Sequence, residues 1–358
     1  MKVLWWVVFL LLGLSASLLF ISYATPYFHP ETLPILPFIG LFYPVWLLLT
    51  TILTPIAIWK KKAVGYVGLF ILIVGIKSHL KVIGLHFFTP KPAENAIKIM
   101  SYNVRLFGLY DENALERRNN IFEFLRKENP DIACFQEFYH QDQPTSFETL
   151  DSIRSILKSV DDHQRSAYNK IGHRNFGIAI FSKYPMIARG DVMFENQGLM
   201  DFNYCIFADI VKNQDTFRVY NVHLQSIRLS EPGKKEHPSL MDRLELGYSK
   251  MKQAYSKRSK QAERVINHMK TSPYPIVLCG DFNDTPMSYT YHQFNKRLND
   301  AFLVSGLGFG STFIGSIPAG RIDYIFHSEG IESSGFNAHN VEYSDHKPIS
   351  CNISIRKN

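Results

Sequence analysis

No Cys-x-x-Cys pair occurs in this chain, and its four cysteines, Cys134, Cys205, Cys279 and Cys351, stand far apart. That spacing excludes a zinc ribbon and a thioredoxin-type redox centre. Cys134 and Cys279 lie inside the apolar runs DIACFQE and PIVLCGD, where a free thiol behaves as a small buried hydrophobe. All four therefore read as structural. No serine or cysteine sits in a recognisable nucleophile elbow, so a covalent mechanism has no candidate residue. Internal repeats and low-complexity tracts are also absent, which excludes a solenoid. Charge is missing from two long stretches, Val3–Tyr23 and Pro37–Trp59, and that sets residues 1–88 apart from the rest.

Those first 88 residues read as a membrane anchor of three spans, at about 3–23, 37–59 and 63–85. Crossing the hydrocarbon takes about 20 apolar residues. The first two runs meet that length; the third needs Lys77 and Lys81 to snorkel to an interface. The loop Ala24–Leu36 carries no Lys or Arg, whereas Lys60, Lys61 and Lys62 follow the second run. The positive-inside rule then puts the N-terminus and the triple lysine in the cytoplasm. The C-terminal part is expected outside, on the periplasmic face of a bacterial inner membrane. Two alternatives stay open. Residues 1–24 read also as a cleaved signal peptide, and a third segment lying on the surface would leave the C-terminal part in the cytoplasm. Residues 89–96 form a short Pro-containing linker.

Residues 97–358 have the interleaved charge of a soluble domain long enough to bury a large core. Ile97–Asn103 alternates with period two and predicts a strand. Glu116–Glu128 predicts a helix stopped by Asn129-Pro130. Strands are expected at Asp131–Glu137, Gly177–Ser182, Phe217–Leu224, Pro275–Gly280, Arg321–His327 and Ile349–Ile355, with a long basic helix or helix pair over Ser239–Lys270. Many strands with few intervening helices favour sheet-on-sheet packing flanked by helices over a doubly wound parallel sheet.

Polar residues gather where these apolar strands end: Asn103, Glu137, Asn221, His223, Asp281, Asn283, Asp323, Asp345 and His346. Strand ends hold side chains on a rigid edge, which suits a preorganised site. Carboxylates and amides are hard oxygen ligands of the kind Mg²⁺ or Mn²⁺ takes. Histidines and amides can donate to phosphoryl oxygens as charge develops. Taken singly, each has a plainer reading: Asp281-Phe282-Asn283-Asp284 as an Asx-rich turn, Asp323 as a partner of Arg321, His223 as a half-buried histidine. Arg105, Tyr139 and Arg174 read as surface side chains.

The segments IMSYNV, FQEF, NFGIAIFSKYP, YNVHLQS, GDFND, RIDYIF and YSDHKP resemble, in order and spacing, the motifs of the endonuclease/exonuclease/phosphatase superfamily. The resemblance covers about Ile97 to Ile355. It implies a four-layer α/β/β/α sandwich, two packed mixed sheets flanked by helices, here preceded by transmembrane helices. It implies a divalent-metal-dependent phosphoric ester hydrolase using Mg²⁺ or Mn²⁺. By the same resemblance Glu137 is a metal ligand with Asn103 and Asp345 nearby. Asp281 orients or deprotonates the attacking water, Asn283 binds phosphate or nucleophile, and His223 contacts the scissile phosphate. His346, held by Asp323, stabilises the phosphoryl oxygens.

The motifs do not choose among nucleic acids, phosphoinositides and sphingolipids. The anchor does: it holds an enzyme in the plane of a lipid headgroup, whereas a nuclease gains little from it. Membrane lipids are thus the expected partner and a phosphate-bearing lipid headgroup the expected substrate; no protein partner is indicated. A membrane-tethered nuclease or nucleotide hydrolase is the alternative, and a non-catalytic binding module a remote one. The formal net charge of +7 fits any anionic partner. The segment Arg228–Arg264 carries ten basic residues against five acidic ones; it reads as a solvated helix face or as a surface that engages lipid or polyanion.

Overall fold

The computed structural model describes residues 2–88, 91–169, 173–194, 202–227, 239–315 and 320–356. The linker positions 89 and 90, and residues 228–238 of the basic segment, lie outside this set. Among the described residues five α-helices open the chain: α1 (Lys2–Ser22), α2 (Leu36–Leu41), α3 (Tyr43–Trp59), α4 (Ala63–Val74) and α5 (Ile76–Val82). The helix α1, continued by a short turn to Tyr27, is long and apolar enough to cross a membrane, as a signal sequence would also be.

The other two expected spans are not single helices. The 37–59 run breaks at Phe42 into α2 and α3, with Pro44 in the first turn of α3, where proline's missing N–H costs nothing. The 63–85 run bends by 63° between α4 and α5 and its helix ends at Val82. Gly75 sits at that bend, where a Cβ would lie 2.0 Å from the Tyr23 hydroxyl. Only glycine lets that ring, bonded to the Ile71 carbonyl, approach so closely.

After β1 (Gly84–Leu85), the chain builds two six-stranded mixed sheets. The first contains β2 (Ile97–Asn103), β3 (Ile132–Gln141), β4 (Asp161–Asn169) and β5 (Arg174–Ser182), with β13 (Ile331–Ala338) and β14 (Ile349–Ile355). Its order is β13-β14-β2-β3-β5-β4. The second contains β6 (Met186–Asp191), β7 (Tyr204–Lys212), β8 (Asp215–His223), β9 (Ile276–Asp281), β10 (Asn299–Asp300) and β12 (Asp323–His327). Its order is β10-β12-β9-β8-β7-β6. A short β11 (Leu307–Gly308) pairs antiparallel with β1.

Alternation along the strands makes the layers. One face of each sheet supplies the inner core, where Ile99, Cys134 and Ile180 meet Ile206, Val219 and Cys279. Each such side chain contributes about 1.5–3 kcal/mol on burial. The four cysteines are free and buried, as expected of small core hydrophobes. On the outer face of the first sheet lie α6 (Ala114–Glu128) and α7 (Leu150–Leu157), through Ile121, Leu125 and Ile153. On the second sheet lie α8 (Leu240–Met269) and α9 (Tyr289–Asn295), through Val265, Ile266 and Phe294. A short α10 (Ala301–Ser305) closes the edge. This is the four-layer α/β/β/α sandwich.

From Ser239 onward the basic segment forms one helix, α8, started by a capping box in which Ser239 and Asp242 satisfy each other's backbone. One of its basic residues is not on a surface at all. Arg258 is buried, with Nη1 3.1 Å from Asp284 Oδ2 and Nε donating to the Gln225 carbonyl at 2.9 Å.

The helical segment and the sandwich are packed together. Tyr27 meets His292 and His29 meets Tyr289, with ring centroids 4.8 and 5.1 Å apart. Phe38 stacks on Tyr248, and Lys260 pairs with Glu31 at 2.6 Å. Arg321 donates to the Lys81 carbonyl at 2.9 Å.

Candidate active site

Backbone geometry aims the polar residues at one end of the sandwich. β2 and β3 are parallel neighbours in one sheet, β8 and β9 in the other, so Asn103, His223 and Asp281 emerge at strand ends on the same side, with Glu137 beside Asn103 within the longer β3. Between Phe135 and Phe138 the β3 register shifts, and Glu137 takes φ = 48°. Such a bulge re-aims one side chain and stores strain at a functional position. Beneath it Gln136 donates to Asn221 Oδ1 at 2.7 Å, and Asn221 donates to the Phe135 and Ala179 carbonyls. This buried amide pair pins the two sheets together directly under the site.

Asp281 ends β9 after Gly280, whose φ is +148° and whose Cβ would fall 1.9 Å from the Val222 carbonyl. Glycine is required there. The Asp281 carboxylate is buried; Oδ1 accepts the Asn283 backbone N–H at 2.8 Å, forming the Asx turn. Oδ2 accepts from the Asn103 amide at 3.0 Å and the Asn283 amide at 3.2 Å. The Asn103 amide is also 3.4 Å from Glu137 Oε1. Burial raises the Asp281 carboxyl above its ordinary value, while His346 opposes that rise.

His346 faces Asp323, with Nδ1 3.0 Å from Oδ2, and its Nε2 lies 3.7 Å from Asp281 Oδ2. Burial alone would lower this imidazole, but the charges of Asp323 and Asp281 outweigh it and raise it to about 10. The ring is therefore a cation at neutral pH. Thr312 Oγ1 accepts the backbone N–H of Ile322 and Asp323, and the Phe313 ring packs edge-on against His346 at 5.3 Å. Ser344 links the loop before β14 to β2, donating to the Asn103 carbonyl at 2.8 Å. His223 is buried, 3.6 Å from Asp281 Oδ2 and 3.9 Å from Glu137 Oε1. Neither of its ring nitrogens has a hydrogen-bond partner among the described residues. A buried imidazole left so is poised for a ligand atom.

Glu137, Asp281, Asn283, Asp345 and His346 line a cleft of about 190 Å³, and His223 lines a neighbouring one of about 290 Å³ that shares Glu137. One ligand atom each of Asp281, Asp323 and His346 lies within 4.8 Å of the others, close enough to hold a metal ion. That trio is not the expected one of Asn103, Glu137 and Asp345. The Asp345 carboxylate is partly exposed and sits 3.9 Å from Arg105 Nε. So all eight expected residues converge, while the most compact acid–histidine cluster is a different subset.

A family model described as the Endonuclease/Exonuclease/phosphatase family matches residues 100–346, more than half of the chain. The chain belongs to this family. Its members are phosphoester hydrolases, generally metal-dependent, and the oxygen-rich cleft is in keeping with that. A second family model, described as a domain of unknown function, matches residues 2–82. No curated protein matches the chain. Among solved structures, the human Nocturnin catalytic domain with bound sulfate is 17% identical, with 75% of this chain and 98% of that one covered and a TM-score of 0.54. A mannosyl-6-phosphatase of Bacteroides thetaiotaomicron is 19% identical, with coverage of 72% and 100% and a TM-score of 0.52. An endonuclease/exonuclease/phosphatase of Bacteroides vulgatus is 17% identical, with coverage of 74% and 100% and a TM-score of 0.53. At such identities the likeness is one of fold.

Tyr139, expected on the surface, is instead a core residue that donates to Gln141. Sequence reasoning also missed residues that support the site. Thr312 and Phe313 support the site from outside the motifs, and Gln136 and Ser344, inside FQEF and YSDHKP, support it as uncharged neighbours of Glu137 and Asp345. Leu41, from the end of α2, lines the cleft beside Asp281 and His346; lying in an apolar run, it carries no signal of a catalytic neighbour.

Proposed function

We propose that the chain is a membrane-anchored, Mg²⁺- or Mn²⁺-dependent hydrolase of a lipid-borne phosphoester. One observation carries the lipid reading: Leu41, from the apolar helical segment, forms part of the wall of the catalytic cleft. The cleft therefore opens where the helices meet the sandwich. Those helices leave a broad apolar belt exposed, including Leu4, Leu10, Leu14, Phe70 and Ile73. Contiguous apolar surface of that extent marks a membrane or partner contact. Residues 1–88 act as the anchor on this reading, 89–96 as the connection and 97–358 as the catalytic domain. Lys60 lies over the Trp5 ring at 4.6 Å, so the triple lysine and the N-terminal end of α1 share one end of the helix bundle. The sandwich packs at the other, which supports an outward-facing domain.

Asn103, Glu137 and Asp345 would hold the cation. The buried trio suits it less, because His346 and Asp323 already hydrogen-bond each other. When bound, the metal supplies Lewis-acid charge to a phosphoryl oxygen. The chain's own residues do the rest. Asp281, fixed by the Asn283 N–H and the Asn103 amide, orients a water for in-line attack and takes its proton. His223 and Asn283 bind phosphoryl oxygens. Cationic His346, steadied by Asp323, stabilises the charge that develops there.

The test is hydrolysis by the full chain in nanodiscs with Mg²⁺, across phospholipids, DNA and RNA. Release of a headgroup or phosphate from lipid is the expected result. Cleavage of DNA or RNA with no lipid turned over would overturn the lipid reading in favour of a tethered nuclease. The lysines of α8, such as Lys252 and Lys257, are the feature that would favour that second reading.

A further inference from the structure

A second cavity, of about 390 Å³, lies in the seam between the helical segment and the sandwich. Gly40, Pro44 and Val82 wall it on one side, and Met287, Phe309 and Phe313 on the other. Phe313 and Thr285 also line the catalytic cleft, so the two spaces adjoin across these two side chains. Resting on the lipid-hydrolase reading above, we infer that this cavity takes the hydrocarbon next to the substrate's phosphate.

The chemistry of the walls chooses the guest. The polar groups here are largely committed inside the protein. The Tyr43 hydroxyl pairs with His79 Nδ1. Arg321 spends its two terminal nitrogens on Asp300 and the Lys81 carbonyl, and its Nε is the one buried donor of this lining without a partner among the described residues. Little is left to recognise a sugar or a base, and a mostly apolar pocket of this size fits an apolar group. The seam around the void is tight: a Cβ on Gly40 would lie 3.0 Å from the Met287 carbonyl and 2.8 Å from Thr25 Cγ2. The space is thus a shaped opening within a packed interface. Its rim continues into the β1–β11 ribbon, where Leu85, Phe87, Phe88, Leu307 and Phe309 are exposed. An apolar chain could pass from a bilayer over that rim without crossing water. A phosphate in the cleft and a tail in the seam then define the substrate as a lipid phosphate.

Binding of methylphosphonate and hexylphosphonate to the full chain, with Mg²⁺, tests this by calorimetry. Burying one methylene multiplies affinity by about fourfold, so even partial burial of the extra five should tighten hexylphosphonate at least about 30-fold. Ser311→Phe, which fills the cavity, and Phe309→Asp, which charges its rim, should each cut that ratio to under about threefold. The ratio is taken within each protein, so a general loss of phosphonate affinity cancels, and thermal unfolding checks the fold. Equal affinity for the two phosphonates in the wild type overturns the inference even if neither variant folds. So does a chain-length preference that survives both variants. If lipids are still hydrolysed in either case, the lipid-hydrolase reading stands without the tail site. If the panel shows nucleic acid cleaved and no lipid, that reading fails and the tail site with it.

Discussion

Arg258→Met removes a cation from under the catalytic turn and should destabilise the sandwich strongly. Arg258 reaches from α8 to Asp284, at 3.1 Å, and Asp284 is the last residue of the GDFND turn that presents Asp281 and Asn283. Both partners are buried. Methionine fills similar space, so the loss is mainly of charge, and a buried carboxylate without its partner costs about 3–5 kcal/mol. For a domain of this size each kcal/mol shifts the midpoint by roughly 2–4 °C, so a fall of roughly 10 °C is expected. The pH dependence has a definite sign. Burial pushes the Asp284 carboxyl above its ordinary value, and Arg258 holds that rise back. Without Arg258 the rise grows. A carboxyl raised in the folded state favours folding at low pH, and that advantage is lost as pH climbs from the ordinary carboxylate value up through the raised one. The variant's deficit should therefore be smaller near pH 5 than at pH 7.5. Thermal unfolding by circular dichroism at both values, with Asp284→Asn alone and combined, completes a double-mutant cycle. A fall of less than about 2 °C at pH 7.5, or full additivity of the two substitutions, would refute this account.

Chelation by EDTA should abolish hydrolysis, and Mg²⁺ or Mn²⁺ should restore it; full turnover in chelator contradicts the metal assignment. Asp281→Asn and His346→Ala should each lower kcat by about 10²–10³ with a smaller change in KM, as steady-state kinetics on folded variants would measure. Asp323→Asn acts through His346, so adding it to His346→Ala should cost little more; a further large loss would give Asp323 a separate role. A reporter active only outside the cytoplasm, fused after Asn358, should be on, and a signal from a cytoplasm-only reporter there would reverse the proposed orientation.

The candidate site residues were legible because each lies at, or within a few residues of, a strand whose apolar run is plain in the sequence, such as IKIMSYN or PIVLCGD. Strands without such runs were not. β4, DDHQRSAYN, is polar along its length because, among the described residues, it is the outermost strand of its sheet, paired to β5. β13 mixes serine and glycine for the same reason, lying at the opposite edge. Arg258 read as surface charge because nothing in a basic helix tells which face meets a carboxylate from a distant turn. The apolar runs of the first 88 residues were clear in extent but not in shape. The break at Phe42 comes just before Pro44, and the bend at Gly75 lies against the Tyr23 ring, a contact between residues far apart in sequence.

The pairing of Gly84–Leu85 with Leu307–Gly308, and the grip of Arg321 on the Lys81 carbonyl, fasten the sandwich upstream of residues 89–96. How far the active site can wander is then set by these contacts and not by the length of the stretch between them. On the lipid reading the enzyme works as a two-dimensional catalyst. It meets substrate by lateral diffusion within its own leaflet, so its rate should follow the mole fraction of substrate in that leaflet and be indifferent to how much membrane is suspended in the tube.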